Sequence, residues 1–209
     1  MDRNGVETVL HSFTGSPMDG QEPTAGLVRD AAGNFYGTTV TGGASNLGTV
    51  FKLDASGTES VLYSFAGHPD GKFPWAGLVR DAAGNFYGTT LYGGASDFGT
   101  VYKLDTSDTE AVLHSFTGRP DGRLPYAGLL PDLAGNLYGT TSQGGTSHYG
   151  TAFRLDTTGR FTVLHNFAFG TTDGITPMGG LIRDTTGNLY GTTLQGGAFS
   201  VGTVFKLSR

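Results

Sequence analysis

The chain has 209 residues, of which 36 are glycine, 15% are charged and none is cysteine, and its formal net charge at pH 7 is −5. Zero cysteine excludes disulfides, thiolate metal sites and cysteine nucleophiles, and an acidic chain without a Lys/Arg cluster argues against nucleic acid or an anionic membrane as partner. No apolar run approaches the roughly 18 residues of a membrane span, and the start MDRNGVETVL lacks the basic head and apolar stretch of a secretory leader.

In chain order, the first strand candidate is VETVLHSF, ending at Phe13. An Asp-Gly turn follows at Asp19, then AGLVRD, a Gly33-Asn34 turn, NFYGTT, a Gly-Gly pair at Gly42, GTVFKL and a second ETVLHSF-like segment, ESVLYSF. The same order then returns. The Gly-Asn turn recurs at Gly84, Gly135 and Gly187, in steps of 51, 51 and 52 residues, and the Asp-Gly turn recurs at Asp70, Asp121 and Asp173 with the same steps. Each segment is short, rich in β-branched and aromatic residues, and bounded by Gly, Asn, Asp or Pro, which is the signature of strands joined by tight turns. We call the strands A (AGLVRD), B (NFYGTT), C (GTVFKL) and D (ETVLHSF).

Four strands per unit, repeated four times with a period of about 51, predict an all-β fold: a four-bladed β-propeller with four antiparallel strands per blade, in one domain spanning 1–209. The last unit ends after its strand C, while the chain begins with a strand D that has no A, B or C before it. Pairing of residues 6–13 with residues 202–207 would complete the last blade and close the ring, and a closed ring predicts a monomer. A segment of a longer array that re-associates into a larger ring is the alternative architecture.

Read together, GLVRDAAGNFYGTT, the Gly-Gly pair, GTVFKLD, the strand D phrase and the Asp-Gly turn resemble the GloVer (Gloeo_Verruco) repeat of bacterial proteins predicted to be extracellular; the core D-x-x-G-N-x-Y is also similar to NHL and other propeller repeats. The resemblance covers nearly the whole chain. It implies strand A at the axis and an extracellular or cell-surface location, and it brings no catalytic set and no cofactor. The third unit departs from the pattern: Pro131 stands where the others carry Arg29, Arg80 and Arg183.

In a propeller the longer D–A and B–C links share one face and the tight A–B and C–D turns the other. Eight aromatics fall in the long links: Phe73, Trp75, Tyr92, Phe98, Tyr126, Tyr149, Phe169 and Phe199, none of them in the first unit's loops. With the polar neighbours Arg119, Gln143, His148 and Gln195, and with His68 and Asp97 nearby, they form a candidate binding surface for a carbohydrate or another cell-surface molecule, since rings stack on sugar C–H faces while polar groups bond hydroxyls. The competing reading is that the rings only cover one another. The unrepeated loop residues His68, His148, Asp97 and Glu22 are the candidates for acid–base chemistry of a small hydrolase or lyase. Convergence of the loop rings on one pocket around His148 or Asp97 would favour an enzyme, and flat packing without a cavity a structural spacer. The four Asp-Gly carboxylates, Asp19, Asp70, Asp121 and Asp173, could ring a cation, although Asp-Gly is more often a turn whose carboxylate caps backbone N–H groups. His11, His114 and His165 share one column of strand D with Tyr63, an exchange that suggests a structural position. Arg29, Arg80 and Arg183, each preceding an Asp, suggest ion pairs at the tight-turn face, or an axial anion site.

Overall fold

The computed structural model describes residues 5–208. Within them every regular element is a strand. Units one to three each form a four-stranded antiparallel sheet in the order A-B-C-D: Val28–Arg29, Phe35–Thr39, Thr49–Leu53 and Glu59–Ser64 in the first, Val79–Arg80, Phe86–Thr90, Thr100–Leu104 and Glu110–Ser115 in the second, and Leu130–Pro131, Leu137–Thr141, Thr151–Leu155 and Phe161–Asn166 in the third. In the fourth unit Ile182–Arg183, Leu189–Thr193 and Thr203–Leu207 form a three-stranded sheet. Strand A is shorter than its sequence suggests. Its glycine leaves the ladder to meet the neighbouring unit instead: a Cβ on Gly77 would lie 3.0 Å from the carbonyl oxygen of Gly26. The A strands therefore run at the inner edge, backbone against backbone.

The repeated phrases have local causes. In D-x-x-G-N-x-Y, the Asp30 carboxylate accepts hydrogen bonds from Asn34 N (2.9 Å), Asn34 Nδ2 (2.8 Å) and Tyr36 Oη (3.0 Å), and Asp81, Asp132 and Asp184 repeat the arrangement with their own Asn and Tyr. In GTT and GT, paired hydroxyls cross from strand B to strand C, as in Thr39–Thr49 at 2.7 Å and Thr141–Thr151 at 2.9 Å. These buried oxygens satisfy each other inside an otherwise apolar sheet. The motif that identifies the repeat is thus a turn lock.

The core lies between successive sheets. Val50, Phe65, Leu78, Phe86, Tyr102 and Leu104 fill the space between units one and two, and Val101, Phe116, Leu129, Leu137, Phe153 and Leu155 that between two and three. Short two-stranded ribbons tie the D–A link to the following B–C link in units one, two and four, Gly20–Gln21 with Thr41–Gly42 in the first, and a single bridge between Arg123 and Gln143 does so in unit three, so the long links do share one face.

The expected closure is not formed. Residues 6–13 contain no strand, and Thr203–Leu207 has strand B on one side and no strand D on the other. His11 and Phe13 are held forward on the first unit, His11 Nε2 at 3.2 Å from Asp19 and the Phe13 ring 5.0 Å from that of Phe51. Three unit-to-unit steps do not bring the tail round to this head. The array is open.

Candidate functional site

The Asp-Gly carboxylates are turn caps. Asp19 accepts from Thr14 N (2.7 Å) and Gly20 N (2.6 Å), Asp70 from Ala66 N and Gly71 N, Asp121 from Thr117 N, and Asp173 from Ala168 N and Gly174 N. Each also meets the polar column of strand D: His11, Tyr63 (Oη donating at 2.9 Å), His114 (2.9 Å) and His165. Burial works against the charge of Asp19, yet the hydrogen bonds from Thr14 and Gly20 hold its carboxyl below the ordinary range. Ligand oxygens so engaged are poor donors for a symmetric cation ring. His11, Asp19 and Glu59 do place three donor atoms within 4.8 Å of one another. The equivalent third-unit position is Phe161, stacked on His114 at 3.8 Å, so this trio does not repeat. Burial, with Asp70 adding repulsion, pushes Glu110 of the second unit up to about 7.

The acid–base candidates sit at positions fixed by the backbone. Asp97 and His148 share one left-handed turn position with Asn46 and Ser200, at φ of 57–70°. Glu22 shares another with Phe73, Leu124 and Thr176, at φ of 57–62°. Asp97 accepts from Gly93 N (2.8 Å) and pairs with Lys72 at 2.9 Å, while His68 Nδ1 lies 3.0 Å from the Gly94 carbonyl. His148 and Glu22 are exposed and occupy different units. Asp97, His148 and Glu22, unrepeated by residue type, are repeated by conformation; His68 and Asp97 are neighbours in unit two, and His148 and Glu22 lie in other units.

The loop rings form separate contacts along the rim. Phe73 meets Tyr92 at 6.2 Å, Trp75 meets Tyr126 at 6.0 Å, and Tyr149 meets Phe169 at 6.1 Å. Phe98 lies beneath the Arg123 guanidinium, and Phe199 is 87% exposed. The Gln143 and Gln195 backbones pair with Arg123 and Ile175 in the short ribbons, and Arg119 is exposed. None of the four clefts described below and in the open edge is lined by any of the eight rings.

Three of those clefts open on the tight-turn side, between units. The cleft between units one and two is about 250 Å³, that between two and three about 570 Å³, and that between three and four about 660 Å³. The narrow one contains Phe86, whose ring lies on Tyr36; Leu137 and Leu189 occupy the same place in the wider two. The widest is also spread at its axial end. Thr38 and Thr89 donate to Ala76 and Ala127 of the next unit, whereas the buried Thr140 hydroxyl has no such acceptor.

This third cleft gathers Arg154, Arg183 and Lys206 around Asp132, with Tyr138, Leu133, Leu164 and Leu189 as apolar walls. Arg183 and Arg154 stand 3.7 Å from Asp132 and Asp156, too long for hydrogen bonds, and the buried Nε of Arg154 has no partner. The expected ion pairs at the tight-turn face form in part: Arg183 pairs with Asp132 of the preceding unit at 3.7 Å, while Arg29 and Arg80 lie over Phe35 and Phe86, each following Asp being engaged by Asn and Tyr. Two signals in the sequence pointed to this cleft, the cationic column Lys52, Lys103, Arg154 and Lys206 and the exchange of Phe for Leu after the Gly-Asn turn. Neither could be read without knowing that strand C of one unit faces strand A of the next.

The family model described as the Gloeobacter/Verrucomicrobia repeat matches residues 1–208. No curated protein matches the sequence. Among solved structures the chain is similar to virginiamycin B lyase from Staphylococcus aureus, at 13% identity and a TM-score of 0.58, over 93% of this chain and 59% of that one. It is also similar to a protein described as a candidate gluconolactonase, at 14% identity and a TM-score of 0.50, over 88% of this chain and 63% of that one. The chain thus spans less than two thirds of the length of either neighbour. Likeness at this identity establishes a β-propeller-like fold.

Proposed function

The chain belongs to the Gloeobacter/Verrucomicrobia repeat family, and from that premise we propose that it is a non-catalytic, ligand-binding propeller module of an exported or cell-surface bacterial protein, recognising a glycan or another surface molecule along its long-loop rim. The observation that carries this reading is the set of rings left in solvent on that rim: Trp75, Tyr92, Tyr149, Phe169 and Phe199 are 37–87% exposed. Rings that meet in separate pairs over successive units suit an extended ligand that lies across several of them, and suit a small enclosed substrate poorly. The separation of His148 and Glu22 from the neighbouring His68 and Asp97, with Asp97 tied to Lys72, weighs against an enzyme at the same loops, and the lyase and lactonase names of the neighbours describe those proteins alone. A glycan array probed with the intact chain, followed by titration of Trp75 emission with the best binder, tests the reading. Binding with a shift in emission is expected. No bound glycan and unchanged emission would leave a structural spacer.

A second reading rests on the third cleft: Arg154, Arg183 and Lys206 against one carboxylate, Asp132, suit a small organic anion whose body lies on Tyr138 and Leu189.

A further inference from the structure

One polar arrangement is built three times in this chain, and the first copy alone carries a complete set of metal-ligating groups. In each copy the polar column of strand D meets the carboxylate of the Asp-Gly turn that follows: His11 with Asp19 at 3.2 Å, Tyr63 with Asp70 at 2.9 Å and His114 with Asp121 at 2.9 Å. The first residue of the next strand D then comes up beside the pair. It is Glu59 in the first copy, Glu110 in the second and Phe161 in the third. Phe161 covers the His114 ring, stacked at 3.8 Å, and Tyr63 offers a hydroxyl in place of an imidazole. Among the described residues, an imidazole and two carboxylates converge only at His11, Asp19 and Glu59, with donor atoms all within 4.8 Å of one another. Because His114 and Asp121 meet in the same way inside the chain, the placing of His11 is a property of the repeat.

Hydrogen bonding accounts for Asp19 but not for Glu59. Thr14 N, Thr14 Oγ1 and His11 Nε2 all reach Asp19 Oδ2, whereas Oδ1 takes Gly20 N alone and keeps a lone pair. Glu59 Oε1 is buried and has no hydrogen-bond partner among the described residues. Nor does a lysine or arginine pair with either carboxylate there. A buried carboxylate oxygen beside a second carboxylate, with neither donor nor countercharge, is costly unless a cation lies between them.

We propose that His11, Asp19 and Glu59 bind a divalent metal ion of the zinc type, which fastens residues 7–13 to the first unit. Two carboxylates and a neutral imidazole balance its charge, and a mixed nitrogen and oxygen set suits zinc, whereas calcium takes about six to eight oxygens. Zinc ligands at about 2.1 Å stand about 3.4 Å apart in a tetrahedron. His11 and Asp19 already have that spacing, and a movement of about 1 Å brings Glu59 to it. When the metal takes the His11 Nε2 lone pair, the ring proton resides on Nδ1. The His11 and Asp19 side chains are 24% and 9% exposed, so an ion can enter while most water is kept out. The fourth position is left to water.

Isothermal titration of the chelator-treated 209-residue chain with zinc chloride at about pH 7.5 tests the assignment. One strong site per chain is expected, unchanged by millimolar calcium, together with a rise in melting temperature at saturation. Glu59→Gln keeps the shape and removes the charge. It is expected to melt at or above the parent without zinc, and to lose at least about 100-fold in zinc affinity. His11→Gln is expected to lose as much, while His148→Gln, at an exposed loop histidine, binds as the parent does. Cobalt(II) added to the parent is expected to give the intense visible bands of a tetrahedral ion, absent from E59Q. No strong zinc site in the parent would overturn the proposal. So would zinc affinity that survives E59Q or H11Q, or that falls in H148Q.

Discussion

The ring of Phe86 lies on that of Tyr36 with centroids 4.5 Å apart, and this contact closes the cleft between the first two units to about 250 Å³. Leu189 occupies the same place against Tyr138, and the cleft there is about 660 Å³. Leu189→Phe is therefore expected to narrow the third cleft and to stabilise the chain by about 1 kcal/mol through the added aromatic contact. If the cleft takes small anions, the rise in melting temperature given by citrate in the parent disappears in this variant. A citrate effect that survives L189F would place the anion elsewhere.

Glu110 gives a pH dependence of defined sign. Burial, with Asp70 adding repulsion, raises its carboxyl from 4.5 to about 7 in the folded chain. The folded state then holds a proton that the unfolded state releases between those values, so the favourable contribution of the neutral acid is present below about pH 4.5 and is lost as pH rises to about 7. Solvent reaches part of this site, which holds the effect to about 2 kcal/mol. Glu110→Gln is expected to leave stability unchanged near pH 4.5 and to raise it by that amount at pH 8. Urea denaturation at the two pH values measures it, and equal effects at both would refute the assignment.

Asp121 holds Thr117 N at 3.0 Å, Thr117 Oγ1 at 2.7 Å and His114 Nε2 at 2.9 Å, and is largely buried. Asp121→Ala strands these donors and is expected to cost about 2–3 kcal/mol of unfolding free energy. The loss should be seen equally with and without added Ca²⁺, because the role is a turn cap. Calcium-dependent stability of the parent that vanishes in the variant would restore the cation reading.

Gly99 has φ +100°, and a Cβ there would meet the carbonyl oxygen of Thr90 and the ring of Pro125 from the next unit. Gly99→Ala is expected to cost at least about 2 kcal/mol through backbone strain and a displaced junction. A melting temperature within one degree of the parent would show that the junction yields more easily than its contacts imply.

Much of the fold was legible because a repeat states its rules several times. Strand order, the shared face of the long links and the structural role of the His/Tyr column all follow from phrases that recur at fixed spacing. The site was less legible, for a physical reason. His148 and Asp97 looked singular as residue types, but they fill one left-handed turn position that tolerates Asn, Asp, His or Ser. The wide third cleft lies between elements from different units, Arg154 and Tyr138 on one side and Arg183 and Leu189 on the other, and no local pattern records such a pairing.

By itself the sequence determined the all-β repeat, because turn chemistry and strand periodicity act over a few residues and recur in every unit. It also placed a strand D phrase near the head and a strand C phrase near the tail. Only the tertiary structure decided whether those two phrases pair with one another. That outcome depends on the rotation from one unit to the next, set by packing at the junctions, and three such steps leave Val204 and Val9 apart and in solvent.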